Sequence, residues 1–342
     1  MSPDREAIPV LDLGAARQAD GSFSPEFIEQ LRDATHRVGF FQLTGYGAAP
    51  GQAEELLAAI KRFFDLPLEE RMKLDNRLSP HFRGYTRMGT EVTQGRADAR
   101  EQIDYSPDRE PVPDYPDEQP YWLLQGHNMW PDESLPELAP VAMAWAGLMS
   151  KVGNELLRAI AVSLQLPEDH FDEPFRETPA WMGKLVHYVG GVVEGAGDQG
   201  VGSHADYGFV TLLLQDAVGG LEVLPPGASE WSSVEPIPGA LVVNLGEMLE
   251  VATGGYLAAT IHRVQAPPPG VDRYSVPFFW SPRLDAVIEP VPLPEELKAQ
   301  ARGISDDPSN PMLASFGMNM LKGRMRAHPD VTERHYPDLM KR

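Results

Sequence analysis

The run Phe209-Val210-Thr211-Leu212-Leu213-Leu214-Gln215-Asp216-Ala217-Val218-Gly219-Gly220-Leu221-Glu222-Val223-Leu224-Pro225-Pro226 holds two short apolar stretches. A Gly-Gly turn divides them and Pro-Pro closes the second. That pattern reads as two short strands bounded by turns. The same texture continues on either side. Strand-like runs cover Lys184 to Val189, Leu241 to Leu245, Ala258 to Val264 and Tyr274 to Trp280, with Gly and Pro between them. Short strands so punctuated predict an antiparallel barrel or double sheet. The 31 Gly and 33 Pro among 342 residues favour turns over a helical bundle.

Upstream the periodicity changes. Ile8 to Leu13 alternates as a short strand. Ser24-Pro25-Glu26 predicts a helix start, with a cap, a first-turn proline and an acid near the positive end. Phe27, Leu31, Ala34 and Val38 recur at helical spacing, and Gly39 stops that helix before a strand over 40–43. Leu56, Ile60, Phe63 and Phe64 mark a second helix. Residues 106–136 are rich in Pro, Asp and Glu and read as a loop. A long helix carries Leu138, Val141, Trp145, Leu148, Val152, Leu156 and Ala159, ending by Leu166-Pro167. Residues 312–325 read as helical again. The expected division is 1–120 for an N-terminal region of helices and strands and 121–179 for the loop and long helix. Residues 180–285 form the β core and 286–342 a helical C-terminal segment. All four pack as one unit.

Composition excludes several classes of function. The formal net charge is −21, which repels phosphate backbones and argues against nucleic-acid binding. With no cysteine there is no disulfide, thiolate metal site or thiol nucleophile. No apolar run reaches the roughly 18 residues that a membrane helix needs. The first ten residues lack the apolar core of a secretion signal. A cytoplasmic protein, monomeric or weakly dimeric, with no membrane partner, is expected.

His36 falls on a predicted helix. His81, His127, His170, His328 and His335 sit in polar or Pro-rich contexts and are expected at the surface or in loops. His204 differs, because Asp206 follows two residues later and i, i+2 side chains on an extended chain share a face. His262 is a polar residue inside a strand-like run, the place of a third ligand or of a histidine hydrogen-bonded on a sheet face. Two histidines and a carboxylate leave open positions on Fe(II), yet zinc hydrolases use the same set. Arg273 and Ser275 again share a face. An arginine fork with an adjacent hydroxyl suits a carboxylate, whereas an isolated arginine is commonly a surface residue.

Taken together, His204-Ala205-Asp206 with Tyr207-Gly208, Gly219-Gly220-Leu221-Glu222-Val223, Pro238-Gly239-Ala240 running on to Asn244-Leu245-Gly246, His262-Arg263-Val264 and Arg273-Tyr274-Ser275 resemble the isopenicillin N synthase-like family of Fe(II)/2-oxoglutarate-dependent dioxygenases. Ile8-Pro9-Val10-Leu11-Asp12, Gly39-Phe40-Phe41 and Asn128-Met129-Trp130-Pro131 extend the likeness over nearly the whole chain. The resemblance implies a mainly β fold with flanking helices around a distorted double-stranded β-helix, or jelly roll. It implies Fe(II) on His204, Asp206 and His262, and the distal carboxylate of 2-oxoglutarate on Arg273 and Ser275. Tyr188 occupies a strand position that in similar enzymes faces cosubstrate or substrate; a core tyrosine is its structural alternative. O₂ would be the second cosubstrate, and succinate and CO₂ would leave as a small molecule is oxidised. Fe(II), Asp206, 2-oxoglutarate and Arg273 sum to zero formal charge, which eases burial of the site.

The segment Phe82-Arg83-Gly84-Tyr85-Thr86 and the run from Gly89 to Gly95 are similar to bacterial ethylene-forming enzymes of that family. Carried over, Glu91 and Thr93 would lie near a cationic group of the substrate and Lys184 near a carboxylate, with Arg83 a further candidate. An amino acid or a specialised metabolite is the expected substrate. The structural alternative for Glu91 is ordering a loop beside the barrel. Three other functions stay open from sequence: oxidative cyclisation without 2-oxoglutarate, ethylene-forming oxidation of 2-oxoglutarate itself, and a non-catalytic binding module.

Overall fold

The computed structural model describes residues 8–93, 95–191, 199–304 and 311–339. Residues 1–7, on which the reading of a secretion signal falls, lie outside them. The early strands are β1 (Val10–Asp12), β2 (Phe40–Thr44), β3 (Gly84–Thr86), β4 (Val92–Thr93), β5 (Arg96–Ala97) and β6 (Arg100–Tyr105). The later ones are β7 (Met182–Tyr188), β8 (Gln199–His204), β9 (Val210–Gln215), β10 (Leu221–Leu224), β11 (Ser232–Ser233), β12 (Leu241–Leu245), β13 (Ile261–Gln265) and β14 (Arg273–Trp280). An eight-stranded sheet runs β1-β2-β12-β9-β14-β7-β6-β3, and a four-stranded sheet runs β11-β10-β13-β8. Among these strands only β1 and β2 pair in parallel. The two sheets build the distorted double-stranded β-helix. Strands from before residue 120 continue the same large sheet as strands from 180–285.

Alternation decides which face each side chain takes. On β14, Val276, Phe278 and Trp280 join the main apolar core, while Arg273, Ser275, Pro277 and Phe279 line an internal cavity. On β12, Leu241, Val243 and Leu245 face the core and Asn244 faces the cavity. Between the sheets a smaller cluster of Phe40, Val186, Tyr188, Val201, Leu221, Val223 and Val264 closes the barrel.

The helices are α1 (Pro25–Asp33), α2 (Gln52–Phe64), α3 (Leu68–Met72), α4 (Leu138–Ser163), α5 (Glu247–Ala252), α6 (Glu295–Lys298), α7 (Phe316–Ala327) and α8 (Pro329–His335). Helices α1, α2 and α4 pack together, and α4 lies on β9 and β14. Ser24 caps α1 by accepting from the Phe27 amide at 3.5 Å. A π-helical turn over Ala34–Val38 continues it, and Gly39 ends the turn in the left-handed region at φ 68°. No helix among the described residues is long and apolar enough to cross a membrane.

Some expectations shift. The run from Ala258 becomes strand only at Ile261, because the preceding residues bond to the end of the first helical segment. The Ala258 amide donates to the Thr35 carbonyl at 3.1 Å and the Thr260 hydroxyl to the Val38 carbonyl at 2.5 Å. The 106–136 loop contains a 3-10 turn, Pro120–Leu124, that buries Tyr121, Leu123 and Leu124. The C-terminal helix starts at Phe316, where Ser315 caps it. His328 is not a surface residue; it is 1% exposed, and the Asn76 amide meets its Nδ1 at 3.2 Å. His81 and His335 are half-buried, with ring nitrogens on the carbonyls of Leu123 and Arg77.

Candidate active site

Strands β8 and β13 are antiparallel neighbours, and His204 and His262 are direct cross-strand partners. Asp206 follows the end of β8. Its Oδ1 lies 3.7 Å from His204 Nε2 and 3.9 Å from His262 Nε2. The three ligand atoms fall within 4.8 Å of one another, and these residues form the candidate metal cluster among the described residues. Each imidazole is oriented from behind. His204 Nδ1 bonds the Gly202 carbonyl at 2.8 Å and His262 Nδ1 the Thr260 carbonyl at 3.0 Å. A carbonyl only accepts, so both Nδ1 atoms carry hydrogen and both Nε2 lone pairs face the common point. Burial, then the neighbouring His262, pushes His204 down to about 4, so it stays neutral and able to ligate. Burial alone would raise Asp206, but the two histidines, Asn244 and Thr211 outweigh it and hold the carboxylate below its ordinary range. The donor set therefore fits a divalent metal.

A small cavity beside this cluster reaches Arg273, Ser275 and Tyr188. Arg273 is 1% exposed. Its Nε donates to the Gly219 carbonyl at 2.6 Å and its Nη2 to Gln215 Oε1 at 2.9 Å. Its Nη1 is buried with no hydrogen-bond partner. The guanidinium lies 4.8 Å over the Tyr188 ring. A buried cation with a donor left over is matched by a carboxylate entering the cavity.

A second cavity, of about 950 Å³, also opens to His204 and Asp206. Glu91, Thr93 and Lys184 line it, as do Arg100 and Arg324. Lys184 Nζ sits 2.7 Å from Glu91 Oε1 and 3.7 Å from Asp104, so its charge is already paired within the protein. Thr93 donates to Asp98 Oδ2 at 2.7 Å. Glu91 Oε2 lies 3.0 Å from Arg100 Nη2 yet has no aligned hydrogen-bond donor. Burial would raise Glu91, but Arg100, Lys184 and His328 pull it far below the usual range and keep it ionised. Arg83 is placed elsewhere, with its guanidinium on the carbonyls of Leu124 and His81 and no part in lining this cavity.

Sequence reading missed Arg100, Arg324, Thr211 and Asn244. A signal existed for three of them. Arg100, Gln102 and Asp104 place polar groups on one face of a buried strand, and Asn244 interrupts an apolar run as His262 does. Thr211 shares the inward face of β9. Arg324 gives no such sign, because its partner Asp104 lies far away in the chain, 3.2 Å off in space.

Comparison with known proteins agrees with this geometry. Residues 8–133 match the model described as non-haem dioxygenase in morphine synthesis, N-terminal, and residues 183–282 match that of the 2OG-Fe(II) oxygenase superfamily. A 2-oxoglutarate-dependent dioxygenase of Dothideomycetidae sp. is 35% identical, over 98% of this chain and 94% of the relative. A homoarginine-6-hydroxylase of Oryza sativa is 33% identical, over 85% of this chain and 90% of the relative. The crystal structure of a Neurospora crassa protein in complex with alpha-KG and thymine superposes with a TM-score of 0.74 at 25% identity, covering 95% of this chain and 98% of that one. The enzyme is a dioxygenase that uses Fe(II), 2-oxoglutarate and O₂ on a small molecule, and the chain belongs to the 2OG-Fe(II) oxygenase superfamily.

Proposed function

We propose that His204, Asp206 and His262 hold Fe(II), that Arg273 and Ser275 hold the distal carboxylate of 2-oxoglutarate, and that the chain hydroxylates a basic amino acid or a close analogue. One observation carries this reading. Three ligand atoms converge beside a cavity lined by a buried cation with an unmet donor.

Bound iron with 2-oxoglutarate and O₂ supplies the oxidising power, as in the family. The protein supplies position and exclusion of water. Tyr188 backs the Arg273 guanidinium and keeps its fork turned to the cavity. Glu91 accepts from the substrate's cationic group through Oε2. Lys184 and Thr93 act behind it, Lys184 by fixing Oε1 and Thr93 by bracing Asp98. The name of the rice relative supports a basic amino acid, with Glu91 an acid on the wall of the large cavity offered to its cationic group. The same reading keeps the chain a cytoplasmic monomer or weak dimer without nucleic-acid or membrane partners, in line with its net charge of −21.

The test is a screen of homoarginine, arginine, lysine and thymine by succinate release with Fe(II), run on wild type and three variants. A basic amino acid should raise release above the substrate-free rate. His204→Ala and Asp206→Ala should each lose both iron binding and release. Glu91→Gln should raise the substrate KM about tenfold, since a charged hydrogen bond contributes about 1.5–3 kcal/mol. Its substrate-free decarboxylation should hold. Stimulation by thymine alone would overturn the substrate class, and full turnover by both ligand variants would overturn the iron site.

A further inference from the structure

Asp206 meets both histidines through the same carboxylate oxygen, Oδ1. The other, Oδ2, accepts from the Thr211 hydroxyl at 2.6 Å and from the Asn244 amide nitrogen at 2.7 Å. Thr211 and Asn244 are direct cross-strand partners on β9 and β12. They are 5% and 3% exposed. Their spacing is therefore set by the sheet ladder, and a β-branched threonine holds its rotamer stiffly. Both donors reach a charged oxygen at short distance, the strong kind of hydrogen bond. Both border the small cavity beside the cluster, and neither lines the large one.

From this we infer that Thr211 and Asn244 form a clamp that keeps Asp206 a one-oxygen ligand. This rests on the iron site proposed above. A carboxylate can ligate through one oxygen or two. Two histidines and a one-oxygen carboxylate leave three positions of an octahedral ion open. A chelating 2-oxoglutarate takes two of them and O₂ needs the third. If Oδ2 were free to swing onto the metal, it would take that third position. The clamp engages Oδ2 in two strong hydrogen bonds, so that oxygen is not free to turn onto the metal and the position stays vacant. Thr211 and Asn244 are thus positioning residues that govern gas access through Asp206, at the border of the cavity assigned to 2-oxoglutarate.

The test uses nitric oxide as an O₂ stand-in on anaerobic enzyme loaded with Fe(II) and 2-oxoglutarate, read by electron paramagnetic resonance. Iron and 2-oxoglutarate bound per chain are measured alongside, and a fall in nitric oxide binding that only follows loss of 2-oxoglutarate would overturn the clamp. Wild type should hold one iron and take nitric oxide. The near-isosteric double variant Thr211→Val with Asn244→Leu should keep its iron, because a two-oxygen carboxylate holds metal at least as well. Its nitric oxide affinity should fall at least about tenfold, a modest change in free energy for two strong bonds. Thr211→Val alone should fall part of the way, and Thr211→Ser should restore the affinity by restoring the hydroxyl. These single variants keep the test open should the double variant fail to fold. Nitric oxide binding unchanged in the valine variants would overturn the clamp. So would proportional loss of iron and nitric oxide together, which marks mere structural support. Failure of wild type to bind iron would instead overturn the iron site itself.

Discussion

Arg273 carries its meaning at the scale of a single residue. A guanidinium at 1% exposure with one nitrogen unpartnered is costly unless a ligand completes it. Arg273→Ala should weaken 2-oxoglutarate binding at least about tenfold, since a charged hydrogen bond contributes about 1.5–3 kcal/mol. Ser275→Ala should weaken it less, because no charge is lost. Titration of the cosubstrate into both variants checks this, and an unchanged response in Arg273→Ala would remove it from the site. The residues of this kind that were legible in the sequence share a short-range logic. His204 with Asp206, and Arg273 with Ser275, lie two apart on extended chain, so one face is implied. Arg324 was not legible, because its meaning depends on Asp104, 220 residues away in sequence. Lys184 was proposed only through the family resemblance, near a substrate carboxylate; its pairing with Glu91, on a loop 93 residues earlier, was not legible. Arg83 stood next to the right motif and faces another way, because Phe82, at φ 57°, and Gly84, at φ 100°, turn the chain on either side of it.

At the scale of the element, period decides more than composition. The alternation of β14 separates Val276, Phe278 and Trp280 from Arg273 and Ser275, so one strand closes the apolar core and furnishes the site. Strand β8 escaped reading because Gly200 and Gly202 interrupt it, and glycine is a poor strand signal. The start of β13 moved because Ala258 and Thr260 bond to a helical segment, a long-range preference that no local pattern carries. The long helix was legible from its stripe, and its packing explains one glycine in it. At Gly153 of α4 a Cβ would come within 2.5 Å of the Trp280 indole. Helix propensity alone favours alanine there by about 1 kcal/mol. Overpacking against a buried indole costs about 1–3 kcal/mol and should win. Gly153→Ala should therefore lower the melting temperature, and Gly153→Leu should lower it further. Thermal denaturation of the two variants decides this; a stabilised Gly153→Ala would mean that the helix shifts freely off the sheet.

The whole molecule is tied together by buried charge around the large cavity. Glu91 comes from the N-terminal loop, Arg100 and Asp104 from β6, Lys184 from β7, and Arg324 and His328 from the C-terminal segment. Apart from the local Glu91–Arg100 pair, these contacts join regions distant in sequence, and the C-terminal helices are held to the barrel by the groups that border the site. His328 sits inside this cluster, its Nε2 3.8 Å from Glu91 and 3.7 Å from Asp104. Burial first, and then Arg324, push it down to about 3. An unfolded histidine titrates near 6.5. Between these values the unfolded chain binds a proton that the folded chain refuses, so stability rises with pH across the interval. That contribution is complete above about pH 6.5 and is lost progressively on acidification, reaching on the order of 2 kcal/mol by pH 5. His204, pushed down to about 4 in the metal-free protein, adds a slope of the same sign. Metal-free wild type should accordingly show a melting temperature that falls from pH 7 to pH 5. His328→Asn keeps an acceptor for the Asn76 amide and has no proton to gain, so its melting temperature should fall less over the same range. Thermal scans of both proteins at matched ionic strength measure the difference in slope. Parallel slopes would show that His328 takes up its proton in the folded state as readily as in the unfolded one, and the cluster would then gain a cation instead of excluding it.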